Sequence, residues 1–134
     1  MSRTGDKIKT LLDEVTLTAD YVASSEIFYV QDYTESTHYI DYTPGTSGDK
    51  LSYKIEFSND GTTWHSEPDE SVSSGVATVV IKEREYTSTS GSLQRVPVVS
   101  MPVSDKFLRV LVKETVPGST FGKVTWNSRR SKLK

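Results

Sequence analysis

Residues 50–66, KLSYKIEFSNDGTTWHS, decide the fold that this chain is predicted to adopt. From Leu51 to Ser58, apolar or aromatic side chains alternate with polar ones, which is the period-two pattern of a half-buried antiparallel strand. The residues Asn59-Asp60-Gly61 follow, and because they tolerate positive φ, the chain reverses direction there at little cost. The stretch therefore predicts a strand over 50–58, a hairpin turn and a short returning strand around Trp64.

The rest of the chain repeats this arrangement of short apolar alternations separated by clusters of Gly, Pro, Ser and Asn. We expect eight or nine strands and no helix longer than about two turns. Regular spacing of this kind is typical of an all-β fold, an antiparallel β-sandwich that is jelly-roll-like, and not of a parallel α/β sheet. The other predicted strands cover about 14–19, 27–30, 38–43, 76–87, 93–99, 105–115 and 120–128, and the predicted loops include 43–49 and 67–75.

Individual residues indicate where some of these strands lie in a sheet. The segment 105–115 is apolar on both faces, which favours a central position. Pro97 has no backbone N–H to donate, so it suits an edge strand or a bulge. We expect Tyr53, Val124 and Trp126 to face the core.

The length of 134 residues predicts one domain, which we place over residues 14–128. Residues 1–13 are predicted to form a polar N-terminal arm and residues 129–134 a basic C-terminal tail, because both lie outside the core pattern. These termini are the best candidates for segments that become ordered on assembly. Four basic residues lie in the tail: Arg129, Arg130, Lys132 and Lys134.

The composition argues against several classes of protein. No cysteine is present, so neither disulfides nor thiolate metal sites stabilise the fold. No stretch approaches the roughly 20 apolar residues of a membrane helix, and the first residues contain no apolar signal region, so we expect a cytoplasmic product without a membrane partner. The net charge is −2, and without the four basic tail residues 12 basic and 18 acidic residues remain. Because such an acidic body repels phosphate, we expect no nucleic-acid partner.

No residue pattern predicts catalysis. His38 and His65 lack the spacing of metal ligands and are expected at the surface or at a sheet edge. The chain has no GxSxG elbow and no glycine-rich phosphate loop. The acidic residues Glu83 and Glu85, and the loop pair Asp69-Glu70, are more simply interpreted as solvating groups than as paired catalytic carboxylates. We therefore expect no enzyme activity and no cofactor.

The candidate binding residues are aromatic and basic. Tyr33 and Tyr39 fit either a recognition surface, where tyrosine brings a large contact area at low entropic cost, or a strand, where tyrosine is common. The basic tail is expected to be disordered by default, and the alternative is that it binds an acidic neighbour. The candidate interaction surface consists of Tyr33, Tyr39, Trp64, Arg129, Arg130 and Lys132.

Three segments together carry a resemblance to a known group of proteins. They are FSNDGTTW at 57–64, the tyrosine strand Glu85-Tyr86-Thr87, and DKFLRVLVKET at 105–115. The chain resembles small β-sandwich structural proteins of tailed bacteriophage virions. The resemblance spans about residues 14–127 and implies a capsid decoration or auxiliary protein, or a head–tail accessory protein. It further implies a homo-oligomer that is made in the host cytoplasm, resides in the virion and binds capsid or tail subunits.

A second resemblance supplies an alternative. The SxDGxxW turn followed by a KFLRV strand is similar to discoidin-like and other carbohydrate-binding jelly rolls, and Trp64 and Arg109 match that generic pattern. The usual opening segments of those domains are not recognisable here. This alternative implies a glycan partner and predicts a cluster of exposed aromatic rings at one end of the sandwich, drawing on Tyr33, Tyr39 and Trp64.

Overall fold

The computed structural model describes residues 3–66, 68–116 and 120–133, and within them the side chains of 8–66, 74–77, 82–116 and 120–132. The described residues form antiparallel strands and no helix. In chain order the strands are β1 (Arg3–Thr16), β2 (Val22–Ala23), β3 (Phe28–Tyr29), β4 (Glu35–Thr43), β5 (Lys50–Ser58), β6 (His65–Ser66), β7 (Pro68–Ser73), β8 (Val76–Ile81), β9 (Arg84–Thr87), β10 (Gln94–Arg95), β11 (Val99–Pro102), β12 (Phe107–Thr115) and β13 (Lys123–Leu133).

Two sheets form the body of the molecule. In the first sheet, β13 lies between β1 and β4, and the other side of β4 pairs with β10 and then β11. In the second sheet, β12 lies between β5 and the short segments β2 and β3, while β6 and β9 pair with the far side of β5. The inward side chains of both sheets form one core, with Trp126, Tyr42 and Phe28 among its largest fully buried members. This confirms the predicted all-β sandwich.

The strand that decided the prediction is confirmed at Lys50–Ser58. Leu51, Tyr53, Ile55 and Phe57 are all buried in the core, as their alternation predicts. The opposite face is not solvated as the pattern suggested, because Ser52, Glu56 and Ser58 are also buried. β5 is an interior strand, and side chains from its neighbours cover its outer face.

Several other predicted strands agree with the structure. The central placement of 105–115 is confirmed, because β12 pairs with β5 along its whole length and with β2 and β3 on the other side. Pro97 falls between β10 and β11 on the edge of the first sheet, where no ladder donor is needed. Tyr53, Val124 and Trp126 lie in the core as expected.

The two termini correct the sequence interpretation. Residues 3–13 of the predicted arm 1–13 and residues 129–133 of the predicted tail 129–134 belong to the sheet: β1 and β13 pair from Thr16 opposite Lys123 to Arg3 opposite Leu133. Residues 1, 2 and 134 lie outside the described residues. Bulges at Thr10/Leu12 and Leu12/Val15 break the period of two, so both Leu11 and Leu12 reach the core while the sequence shows no clean alternation.

Residues 68–75, predicted as part of a loop, form half of a hairpin instead. β7 pairs with β8 around a turn at Ser74-Gly75, where both residues have positive φ, 51° and 77°. The long run predicted over 76–87 is accordingly divided into β8 and β9. Residue 67 lies outside the described residues.

One end of the sandwich is closed by a buried carboxylate, and we call it the Glu114 end. The Glu114 side chain, 1% exposed, accepts hydrogen bonds from the backbone N–H of Gly122 at 2.6 Å and of Gly45 at 3.2 Å, and from the Tyr42 hydroxyl. Burial, followed by this bond to Glu114, raises the pKa of Tyr42. The carboxylate thereby joins the two loops that leave β4 and enter β13.

Glycine is required at this end because the two loops touch through their backbones. A Cβ on Gly122 would collide with the Thr43 carbonyl oxygen, and one on Gly45 with the Thr120 carbonyl oxygen. The predicted loop 43–49 is therefore a tightly packed closure. In the part of the chain that the structure describes, no helix has the length and apolar character needed to cross a membrane.

Candidate interaction surfaces

The Arg130 side chain lies at the opposite end of the sandwich, and we call this end the Arg130 end. The Arg130 guanidinium lies 4.4 Å from the Tyr33 ring centre and 5.3 Å from that of Phe28, and it donates a hydrogen bond to the Tyr29 carbonyl. Both Arg130 and Tyr33 are only partly buried. The structure thus brings two of the predicted candidates together, and Arg130 belongs to a strand and not to a disordered tail.

Two further candidates lie on the outer face of the first sheet. Tyr39 points away from the core between the inward residues His38 and Ile40, and it is 36% exposed. Arg129 follows the same outward alternation on β13, where its neighbour on β4 is Thr37, two residues from Tyr39. Lys132 is exposed near the end of β13, opposite Thr4 of β1.

Trp64 lies on the other side of the molecule, over the outer face of the second sheet. Its ring is 4.6 Å from the Arg109 guanidinium, which binds Glu56 at 2.7 Å. Glu56 also accepts a hydrogen bond from the Ser66 hydroxyl at 2.8 Å. The candidate residues therefore occupy separate surfaces, and the aromatic cluster predicted from Tyr33, Tyr39 and Trp64 does not form.

Two further rings, those of Phe107 and Tyr29, lie on the same face of the second sheet as Trp64, and we call this face the aromatic face. Phe107 shares the outward side of β12 with Arg109, two residues away, and its ring meets Tyr29 edge-on at 5.4 Å. Tyr29 is 44% exposed. The sequence does not single out Phe107 and Tyr29, because period-two alternation does not say which face is solvated when a strand has apolar residues on both faces.

The turn below the aromatic face is ordered by its own hydrogen bonds. Asp60 Oδ1 accepts from the backbone N–H of Thr63 at 2.8 Å and of Thr62 at 2.9 Å, and also from the Ser58 hydroxyl. These bonds, that of Thr63 first, lower the pKa of Asp60. Gly61, with φ of 80°, allows the reversal, as the sequence predicted. The turn holds the Trp64 segment across the sheet.

Tyr21 makes a second contact of ring and cation on the same sheet. Its ring lies 4.3 Å from the Lys54 amine and 4.7 Å from the Lys113 amine, and its hydroxyl donates to Glu83. Desolvation, and then this bond, raise the pKa of Tyr21. Glu85 pairs with Lys50 at 3.1 Å. Glu83 thus contacts the Tyr21 hydroxyl and Glu85 contacts Lys50, and the two glutamates do not contact each other. The side chains of Asp69 and Glu70 lie outside those described.

His38 corrects an expectation, because it is fully buried and not at the surface. Its Nδ1 lies 2.7 Å from the Ser128 hydroxyl and accepts from the Trp126 indole N–H at 3.1 Å, which leaves Nε2–H to donate to Ser36 at 3.0 Å. Burial, with a smaller effect of Arg84, lowers the His38 pKa to about 3. A serine and a histidine meet here, but they are sealed in the core, where they satisfy each other's hydrogen bonds.

An open groove of about 710 Å³ lies beside β1. Leu11, Leu12 and Val15 line it from β1, and Val22 and Ala23 line it from β2 across the gap between the sheets. Near one end Lys9 reaches across and pairs with Glu26 at 3.2 Å. The other lining residues are polar: Thr10, Asp13, Ser25, Glu26, Thr125 and Asn127. The groove therefore combines apolar and polar walls with a charged crossing.

Within the described residues, no three His, Cys, Asp or Glu side chains come together as a metal site would require. Comparison with known proteins adds no family: no family model matches the chain, and no curated protein matches it.

Proposed function

We propose that this chain is a non-enzymatic structural subunit of a tailed-phage virion, either a capsid decoration or auxiliary protein or a head–tail accessory protein, which binds other virion subunits. The observation that supports this proposal best is where the polar and charged side chains lie. The serine–histidine group is sealed in the core, whereas stacked cations and rings lie on outer faces and at one end. Arginine and aromatic side chains are the residues most enriched in protein interfaces.

The predicted mode of action is contact through rigid surfaces. Both terminal strands pair along their length in the first sheet, so the body presents preformed faces and pays little ordering entropy on binding. Several weak contacts repeated by virion symmetry then give firm attachment. Tyr39 and Arg129 on the outer face of the first sheet, and Arg130 at its end, are the proposed contact residues.

Quantitative mass spectrometry of gradient-purified virions from the phage that encodes this chain tests the proposal. The chain should band with particles at a fixed copy number that matches a symmetry of the head or tail. A chain recovered only in the soluble lysate contradicts it. Among purified variants, the double change Tyr39→Ala and Arg129→Ala should lower binding to particles that lack the chain about tenfold or more, while Lys106→Ala, exposed on a loop, should not.

A second candidate function, glycan binding, is favoured by one specific observation. The aromatic face combines the partly exposed rings of Trp64, Phe107 and Tyr29 with the Arg109–Glu56 pair, 2.7 Å apart. Rings that stack on sugar faces and fixed charged groups that bind hydroxyls are the components of a carbohydrate site.

Tryptophan fluorescence distinguishes this second candidate. Of the two tryptophans, Trp126 is buried and Trp64 is only partly so. A bound oligosaccharide should therefore change Trp64 emission, and Trp64→Phe should abolish the change while Trp126 emission still reports an intact core. An array of bacterial surface glycans without a hit, together with unchanged emission, would reject glycan binding and leave the virion proposal untouched.

A further inference from the structure

The longest strand of the molecule is an open sheet edge. β1 has 14 residues and, among the described residues, pairs only with β13, so its other side presents backbone donors and acceptors that no described strand pairs. Ile8, at 63% exposed, is among the most exposed large apolar residues described. Soluble proteins protect long edges with charges, bulges or a partner, because an open edge is a template for another strand.

The groove leaves room for such a strand. Its apolar wall comes from Leu11, Leu12 and Val15, and its far side is β2, which pairs only with β12 among the described residues. The opposite edge of the first sheet is different: it consists of β10 and β11, two and four residues long. Only one edge of this sheet therefore offers a long pairing surface.

The charges along β1 indicate the partner. Arg3, Asp6, Lys7 and Lys9 lie in its first half, with a net charge of +2, and Asp13 and Glu14 lie in its second half, with a net charge of −2. Within one copy, Lys9 also pairs with Glu26 at 3.2 Å and Glu14 with Lys123 at 2.8 Å. If two β1 strands pair antiparallel about a two-fold axis near residues 10 and 11, each basic half lies opposite the acidic half of the other copy. Asp13 is exposed and makes no ion pair within the described residues, so its charge is available to a partner. Opposite charges across neighbouring strands stabilise the pairing, and like charges oppose it.

We propose that two copies of this chain associate through their β1 edges, antiparallel, to form one continuous sheet across a symmetric dimer. The interface is closed, because among the described strands of the first sheet each copy has one long edge, and the dimer uses it. The bulges within β1 limit other registers of pairing. This inference concerns the chain by itself and does not depend on the virion proposal.

Complementary charge reversals test the dimer. Asp13→Lys should place lysine near Lys7 of the partner, and Lys7→Glu should place glutamate near its Asp13, so each variant alone should dissociate about tenfold more readily than the wild type by sedimentation equilibrium. Mixed together, the two variants should form a heterodimer, because both contacts then join opposite charges. Asp20→Lys, the same charge change on an exposed loop, should leave the dimer unchanged.

Hydrogen exchange locates the interface in the wild-type protein. Amides of residues 8–14 should exchange more slowly at high than at low protein concentration, whereas those of β10 and β11 should not change. A wild-type chain that stays monomeric up to about millimolar concentration would overturn the proposal. Equal weakening by Asp13→Lys and Asp20→Lys, or a mixture that stays monomeric, would overturn it as well.

Discussion

The two ends of the sandwich are both closed by a charged group, but in opposite ways. At the Glu114 end the carboxylate is 1% exposed and accepts three hydrogen bonds from two loops and Tyr42. At the Arg130 end the guanidinium is only partly buried and lies against the rings of Tyr33 and Phe28.

This difference indicates which end is available for binding and which end stabilises the fold. A buried carboxylate that accepts hydrogen bonds from two backbone N–H groups and a hydroxyl cannot be exchanged for another contact without leaving those donors unpaired. A cation on exposed rings keeps water or another protein as an alternative partner. We therefore expect the Glu114 end to determine stability and the Arg130 end to tolerate change and contribute to binding.

The most severe way to break the Glu114 end is Gly122→Ala. The added Cβ would overlap the Thr43 carbonyl oxygen, which belongs to the backbone and cannot move aside. We expect a loss of at least about 4 kcal/mol in the free energy of unfolding, or failure to fold. Urea denaturation measures it, with Gly91→Ala as the control, since no atom lies within 4 Å of that position. Equal behaviour of the two variants would show that the loops do not meet as described.

Glu114→Gln tests the carboxylate without changing its size. The two N–H groups of Gly45 and Gly122 donate to different oxygens of Glu114, so the amide nitrogen would place a donor against one of them in either orientation of the side chain. The expected cost is about 3 kcal/mol, because a buried donor is left facing another donor. Chemical denaturation of this variant and of Glu26→Gln, an exposed position, gives the comparison. A cost below about 1 kcal/mol for Glu114→Gln would mean that the end is closed by packing alone.

Acid should lower the free energy of unfolding through His38, which lies close to the Arg130 end. His38 is two residues along β4 from Ser36, and Ser36 lies opposite Arg130 on β13. The folded pKa of His38, about 3, is below its ordinary value of 6.5. The unfolded chain therefore binds the proton first as pH falls, and stability decreases from about pH 6.5 towards pH 3. Between pH 7 and pH 4.5 the loss from this group is on the order of 2 kcal/mol.

Denaturation curves of two histidine variants over this pH range isolate the effect. His38→Asn should be less stable at neutral pH, because the hydrogen bonds of Trp126 and Ser128 change, but its stability should depend less on pH between 6.5 and 4.5. His65→Asn, at an exposed position, should keep the wild-type dependence. An unchanged slope in His38→Asn would contradict the assignment.

The smallest expected effect is that of Arg130→Ala. Because the guanidinium is partly exposed, loss of its contacts with Tyr33 and Phe28 should cost about 1 kcal/mol. Thermal unfolding of this variant should be compared with that of Arg95→Ala, whose surface pair with Asp41 should contribute less. If Arg130→Ala were as damaging as Glu114→Gln, the two ends would be equivalent and the comparison above would be wrong.

Several parts of the fold could be predicted because they depend on local patterns. β5, β12 and the turn at 59–61 follow from alternation and from turn residues that act over a few positions. β1 could not be predicted in the same way, since its bulges place Leu11 and Leu12 together in the core. The hairpin of β7 and β8 was missed because the polar composition of 67–75 is equally typical of a loop.

The candidate site was less predictable than the fold. Trp64 was identified by its residue type, but the Arg109 that contacts its ring lies 45 residues later in the chain. Glu56, which binds Arg109, lies 8 residues before Trp64, and strand pairing brings Arg109 and Glu56 together. Tyr33 and Arg130, both chosen from the sequence, meet at one end of the sandwich, which no spacing could have shown. His38 was expected at the surface because a lone histidine carries no signal of the serines that satisfy it inside the core.

The sequence by itself determined the all-β class, the inward alternation of the central strands and the absence of disulfides, because each follows from residue type and short-range periodicity. The tertiary structure alone decided that both termini are sheet strands, that Glu114 joins two loops and that the aromatic face assembles on the second sheet. The physical reason is range: periodicity acts over neighbouring residues, whereas strand pairing and burial join residues that are far apart in the chain.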